Sequence, residues 1–150
     1  MRLLIQRVAR ASVRVEDQVV GAIGQGLLLL VGVEQGDNEG DATWLAEKVS
    51  KLRIFSDSDG KMNASVLDVQ GELLVVSQFT LHASYKKGTR PSFVKAAHPD
   101  HAIPMYEAFV AACETAIGKP VSTGQFGAAM AVDLINDGPV TIWMDTQNKE

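Results

Sequence analysis

Polar and apolar residues alternate along Ser12-Val13-Arg14-Val15-Glu16, the period-two pattern of a strand with one face buried. Asp17-Gln18 offers a turn into a second strand, Val19-Val20-Gly21-Ala22-Ile23. After Gly24-Gln25-Gly26, the unbroken apolar run from Leu27 to Val33 predicts a central strand covered on both faces. The period then changes. Ala42, Leu45, Val49 and Leu52 recur at helical spacing, which predicts a helix over Asp41 to Leu52 with Asp41 as N-cap. Phe55 to Gly60 contains a turn, and Leu73 to Phe79 is a further apolar strand. A second helix carries Tyr106, Phe109, Cys113 and Ala116 on one stripe and ends at Gly118. Pro104 fits that helix only in its first turn. Ala129 to Ile135 and Val140 to Met144 read as two last strands separated by Asn136-Asp137-Gly138-Pro139. The order β-rich, helix, β, helix, β favours an α+β domain over a doubly wound sheet.

With 150 residues and no repeat, low-complexity tract or linker, the chain is expected to form a single domain over residues 1–150. The longest apolar run, Leu27 to Val31, falls far short of the roughly 20 residues needed to cross a bilayer. Met1 to Arg7 lacks the apolar core of a leader peptide, so a cytoplasmic location without membrane attachment is expected. The lone Cys113 excludes an intrachain disulfide. A net charge of −4 argues mildly against a nucleic-acid partner. The distribution weakens that objection: 8 of the 14 cations lie in two acid-free stretches, Arg2, Arg7, Arg10 and Arg14, then Lys86, Lys87, Arg90 and Lys95. The competing reading places them on solvated strand faces.

Ser77-Gln78-Phe79-Thr80-Leu81-His82 brings two hydroxyls and a histidine together at a strand end. In an extended chain Thr80 and His82 share a face, so His82 could serve as base for Thr80, although no nucleophile elbow is present. No metal is expected. His98-Pro99-Asp100-His101 is interrupted by proline and reads as a solvated helix entrance, and Phe55 to Gly60 lacks the closing glutamate of a calcium loop. Cys113 reads as a small core residue. Asn136-Asp137-Gly138-Pro139 is turn chemistry, yet a rigid Gly-Pro turn can also present two carbonyls in fixed directions, suited to an ammonium group.

Taken together, Ile5-Gln6-Arg7-Val8, Gly60-Lys61-Met62-Asn63, Ser77-Gln78-Phe79-Thr80-Leu81, Lys87-Gly88-Thr89-Arg90-Pro91-Ser92-Phe93, Thr123-Gly124-Gln125-Phe126-Gly127 and Asn136-Asp137-Gly138-Pro139-Val140-Thr141 resemble the D-aminoacyl-tRNA deacylase family of bacterial and eukaryotic type. The likeness spans nearly the whole chain. It implies sheets forming a barrel-like core with two main helices, and a homodimer with active sites at the subunit interface. It also implies hydrolysis of the ester joining a D-amino acid to the terminal ribose of tRNA, with no cofactor. Gly138 and Pro139, cis-linked in the family, would enter the partner's pocket as a chirality filter that rejects L-residues by their Cα substituents. Glycine has no side chain to reject, so glycyl-tRNA, including glycine mischarged on tRNA(Ala), would enter.

Arg7 would buttress the Gly-Pro loop and Met130 would line the site near it. Ser77 and Gln78 would shape the pocket. Two mechanisms remain open under the resemblance: Thr80 as nucleophile, or activation of water by the neighbouring ribose 2′-hydroxyl with the backbone amides around Phe79 and Thr80 stabilising the oxyanion. Thr80 has no evident activator other than His82, which favours the second. Lys86, Lys87 and Arg90 would meet acceptor-end phosphates. The rival readings are a non-catalytic tRNA-binding protein and a Thr80-dependent small-molecule esterase.

Overall fold

The computed structural model describes residues 1–150. Its elements are β1 (Arg2–Val15), β2 (Gln18–Ile23), β3 (Gly26–Gly32), α1 (Glu39–Ser50), β4 (Phe55–Ser56), β5 (Met62–Ala64), β6 (Glu72–Ser77), a 3₁₀ turn (Phe79–His82), α2 (Pro99–Ile117), β7 (Ser122–Thr123) and β8 (Ala131–Asp145). The main sheet runs β2-β1-β3-β6-β7, with β8 on the other edge of β1. Strand β1 is long enough to be shared: antiparallel β3 takes Arg2 to Val8, and antiparallel β2 takes Ala11 to Val15. The parallel pairs β3–β6 and β6–β7 need long crossovers; α1 with the β4–β5 hairpin supplies the first and α2 the second. At the far edge β7 returns to β2, where the Ser122 hydroxyl donates to the Ala22 carbonyl at 3.0 Å. The sheet is therefore a nearly closed barrel with two helices.

The two faces of the sheet feed two cores. Leu27, Leu29 and Val31 pack with Leu3, Ile5, Leu73 and Val75 beneath Leu45 and Val49 of α1 and Phe109 and Cys113 of α2. Leu28, Leu74 and Val76 point the other way and meet Val8, Ala11, Val13 and Ile23 inside the barrel. This division explains the unbroken apolar run of β3, which is buried on both sides. Strand β1 serves the helix side with Leu3 and Ile5, then the barrel interior with Ala11 and Val13. An extra β1 residue between Val8 and Arg10, relative to β8, allows that change of face.

Three of the departures from the sequence reading bear most on the fold. Helix α1 starts earlier, because Asn38 is the N-cap and Asp41 sits at the third helical position, accepting from the Asn38 amide at 3.0 Å. Pro104 lies in the second turn of α2, not the first. It is exposed, so the Asp100 carbonyl it leaves without a helical donor can meet water. The third difference is the largest. The last two strands form one continuous β8 paired to β1 along both halves, not a hairpin. Between Gln6↔Thr141 and Val8↔Asn136, β1 advances by 2 residues and β8 by 5, so 3 residues of β8 are looped out around Gly138-Pro139.

The β3–β6 pairing begins at Gly26, where a Cβ would lie 1.9 Å from the Glu72 carbonyl oxygen. Backbone cannot yield as a flexible side chain does. Gly26→Ala is expected to cost about 3 kcal/mol and lower the melting temperature by roughly 10 °C, read by thermal unfolding; an unchanged midpoint would show that the two strands tolerate separation.

Candidate active site

Strand β6 ends at Ser77 because the Gln78 amide makes the last backbone bond of the pair, donating to Val31 O at 2.7 Å. The chain then tightens into the 3₁₀ turn, whose bonds begin with the Leu81 amide donating to Gln78 O at 3.3 Å. The Phe79 and Thr80 amides have no acceptor within that turn. Side chains in such a turn advance by about 120° per residue, so Thr80 and His82 diverge instead of sharing a strand face. The Thr80 hydroxyl accepts from the Gln78 side-chain amide at the surface. His82 is fully buried, neither ring nitrogen has a hydrogen-bond partner, and its ring lies against Gly32. The base-and-nucleophile pair that an extended chain would form is absent.

Ser77, Gln78 and Phe79 open onto a cleft of about 270 Å³, lined also by Val31, Val76, Tyr106, Phe126, Met130 and Val132. No charged side chain lines it. The Tyr106 hydroxyl donates to the Val75 carbonyl at 3.0 Å, and burial pushes its pKa up to about 12. It is thus a neutral, committed donor. Phe126 tilts against the Tyr106 ring at 5.8 Å, and Met130 packs over Gly124, where a Cβ would come within 2.6 Å of its sulfur. Tyr106 was legible only as a core stripe, and Phe126 only as a motif position. Their convergence depends on the β6–β7 crossover, which no local pattern reveals.

The Gly138-Pro139 loop does not line this cleft. It stands exposed beside Arg7, its peptide bond is cis, and Gly138 has a φ of +134°. Buried Arg7 donates to the Asp137 carbonyl at 3.0 Å and to the Ile54 carbonyl at 2.6 Å. Asn136 closes the loop from below: its side-chain oxygen accepts from the Val140 amide and its nitrogen donates to the Thr141 hydroxyl, each at 2.9 Å. The loop is therefore held from both ends while its tip faces solvent. Val132 reaches the cleft, whereas Gly138 lies six residues along β8, up to roughly 20 Å of extended chain. Met130 sits at the cleft, away from the loop of its own chain.

The two basic stretches have different surroundings. Arg2, Arg7 and Arg10 on β1 face Asp145, Asp137 and Asp133 on β8 at 2.9, 3.4 and 2.9 Å. Those arginines join strands, so they supply no free phosphate patch. Lys86, Lys87 and Arg90 lie exposed in the loop pinned by reciprocal Ser84–Ser92 backbone bonds of 2.7 and 2.8 Å, and none forms an ion pair. The loop reaches the cleft through Phe93, which meets Phe79 edge-on at 5.1 Å. His98 caps α2, and a His101 ring nitrogen lies 3.0 Å from the Asp37 carbonyl; no three His, Cys, Asp or Glu side chains are grouped to hold a metal. Burial pushes the Cys113 thiol up to about 12. No helix is long and apolar enough to cross a membrane.

A barrel whose fourth long strand ends in an uncharged cleft, with a clamped Gly-Pro loop farther along its last strand, defines a narrow class of protein. The model of the D-Tyr-tRNA(Tyr) deacylase family matches residues 4–145, and the chain belongs to that family. It is 59% identical to a D-aminoacyl-tRNA deacylase of Flavobacterium johnsoniae and 57% identical to one of Parabacteroides distasonis, in both cases over 100% of each chain. Among solved structures, one described as c-Myc DNA Unwinding Element Binding Protein superposes with a TM-score of 0.91 at 38% identity, covering 97% of this chain and 99% of that one. Another, described as a probable eukaryotic D-amino acid tRNA deacylase, gives 0.82 at 17% identity, covering 95% and 97%; that likeness concerns the fold.

His82 has a consequence for stability. Burial lowers its pKa below the usual histidine value, with the Gly32 backbone opposing in part. An unfolded histidine takes a proton near pH 6.5 while the folded one resists, so stability is full above about pH 6.5 and falls as pH drops toward the folded pKa. His82→Leu is expected to flatten the loss of melting temperature between pH 7.5 and 5.5; equal slopes in the two proteins would contradict this origin.

Proposed function

We propose that this protein hydrolyses the ester of D-aminoacyl-tRNA, releasing the D-amino acid and free tRNA. The observation that carries the reading is the placement of Ser77-Gln78-Phe79 at the mouth of an uncharged cleft, in a chain matched over its full length by D-aminoacyl-tRNA deacylases. No side chain at the cleft is set up as an activated nucleophile: Thr80 is turned to Gln78, and His82 is buried elsewhere. That favours catalysis in which the ribose 2′-hydroxyl helps activate water and the leading amides of the turn, those of Phe79 and Thr80, receive the developing oxyanion. The same arrangement counts against an esterase built on Thr80 and His82.

Selection falls to Gly138 and Pro139 acting in a second copy of the chain. The loop is exposed and does not line its own cleft, which supports a site assembled from two copies in a homodimer. There, loop carbonyls would hold the substrate's α-ammonium and leave no room for an L-side chain, while glycine on tRNA(Ala) would pass. Arg7 keeps the loop in place through Asp137. Met130 would contact the substrate from the cleft wall. Lys86, Lys87 and Arg90, without ion-pair partners, would take acceptor-end phosphates. Acting on charged tRNA places the protein where translation occurs, the cytoplasm.

Incubation with D-tyrosyl-tRNA, L-tyrosyl-tRNA and a generic ester tests the reading. The D-substrate alone should be consumed; binding without turnover would indicate a non-catalytic tRNA-binding protein, and hydrolysis of the L- or generic ester a different enzyme. In the same assay Thr80→Ala should keep activity within about tenfold of wild type, whereas a tRNA ending in 2′-deoxyadenosine should lose at least about a hundredfold. The reverse pattern would make Thr80 the nucleophile.

A further inference from the structure

On the other side of the Phe79–His82 turn from the cleft lies a second groove of about 780 Å³, bordered by Leu81, Tyr85, Lys86, Lys95 and Trp143. Tyr85 is 81% exposed and Trp143 48% exposed, high values for aromatic rings. Trp143 is held in place. The Arg2 guanidinium lies 5.6 Å from its ring centroid, fixed by Asp145 and by the Leu81 carbonyl, each at 2.9 Å. Arg2 thus lies over one face of the ring and neutralises Asp145, the carboxylate of the groove. Lys86 and Lys95 take part in no ion pair. Trp44 on α1 has two cations over its ring, Lys48 and Lys149 at 5.6 and 4.3 Å, where Trp143 has one.

Exposed rings among unpaired cations suit unpaired nucleotides, since bases stack on the rings and phosphates meet the ammonium groups. A duplex has its bases stacked internally and would gain little from Tyr85 or Trp143. We propose that this groove binds the single-stranded 3′ end of an RNA, with bases against Tyr85 and Trp143 and phosphates against Lys86 and Lys95. The proposal rests on the deacylase reading for its physiological ligand, the acceptor end of tRNA. One turn of chain, Phe79 to His82, separates groove and cleft, so nucleotides held in the groove would lead the terminal ribose toward the Phe79 amide.

The test uses an RNA hairpin with a four-nucleotide unpaired 3′ tail and the same hairpin blunt-ended. Binding is followed by anisotropy, and by tryptophan fluorescence in a Trp44→Phe background where Trp143 is the remaining tryptophan. The tailed hairpin should quench Trp143 and the blunt one should not. Tyr85→Ala should weaken the tailed hairpin about tenfold, and Lys86→Gln with Lys95→Gln should reduce the slope of log affinity on log salt by about 1.4. Equal binding of both hairpins, unchanged affinity in Tyr85→Ala, or dissociation of a dimer by Tyr85→Ala would each overturn the proposal, the last by making the groove a protein interface. Tail-dependent quenching without any D-aminoacyl-tRNA hydrolysis would sustain the groove and remove the deacylase reading. Hydrolysis with kcat/KM unchanged in Tyr85→Ala would do the opposite.

Discussion

Pairing of β1 with β8 is the constraint from which the site follows. The two strands stay in register from Arg2↔Asp145 to Gln6↔Thr141, and again from Arg10↔Ile135 to Arg14↔Ala131. Between those stretches the surplus residues of β8 must leave the sheet, and they leave as the Gly-Pro loop. Arginines on β1 facing aspartates on β8 above, at and below the loop hold both flanks. The Arg10–Asp133 pair, exposed on both sides, contributes little, at most about 1 kcal/mol. Arg7 differs because it is buried and reaches two backbone carbonyls, so it fixes position more than it adds charge.

The same sheet separates two chemical jobs. At the end of β6 the chain turns at the point where a cleft opens, and the lining there is apolar apart from the polar groups of Ser77, Gln78 and Tyr106. A cleft of that kind cannot make a strong nucleophile from its own side chains. It can hold an ester in apolar surroundings and present amide donors to developing charge, which has greater effect where the local dielectric is low. In the proposed enzyme, discrimination falls to the Gly-Pro loop, whose backbone groups would read the substrate's Cα and not its side chain. Under that proposal, cleft and loop would come together across two chains.

Much of this was legible in the residues, and the gaps have definite causes. The Leu27 to Val33 run announced a strand buried on both faces, and the stripe through Phe109 and Cys113 announced α2 with its end at Gly118. The continuity of β8 was not legible, because Asn-Asp-Gly-Pro is ordinary turn chemistry and only the distant β1 partner turns it into a loop within a strand. Whether Thr80 and His82 meet was not legible, because two residues decide whether a strand continues or tightens into a 3₁₀ turn. The choice between a basic patch and strand-face arginines at the N-terminus was open for a similar reason: Asp133, Asp137 and Asp145, the partners of Arg10, Arg7 and Arg2, lie more than a hundred residues away in sequence.

Completion of one copy's cleft by the loop of another is tested directly by subunit mixing. One variant, Ala128→Trp, would fill the cleft and leave the loop intact; a second, Gly138→Ala, would disturb the loop, where a Cβ meets Val140 at 2.8 Å, and leave the cleft intact. Each alone should hydrolyse D-tyrosyl-tRNA poorly. After co-refolding in equal amounts, half the dimers would be mixed and each would carry one undamaged site, restoring about a quarter of wild-type activity. No recovery on mixing, with both variants folded and exchanging subunits, would contradict the shared site and return the loop to its own chain.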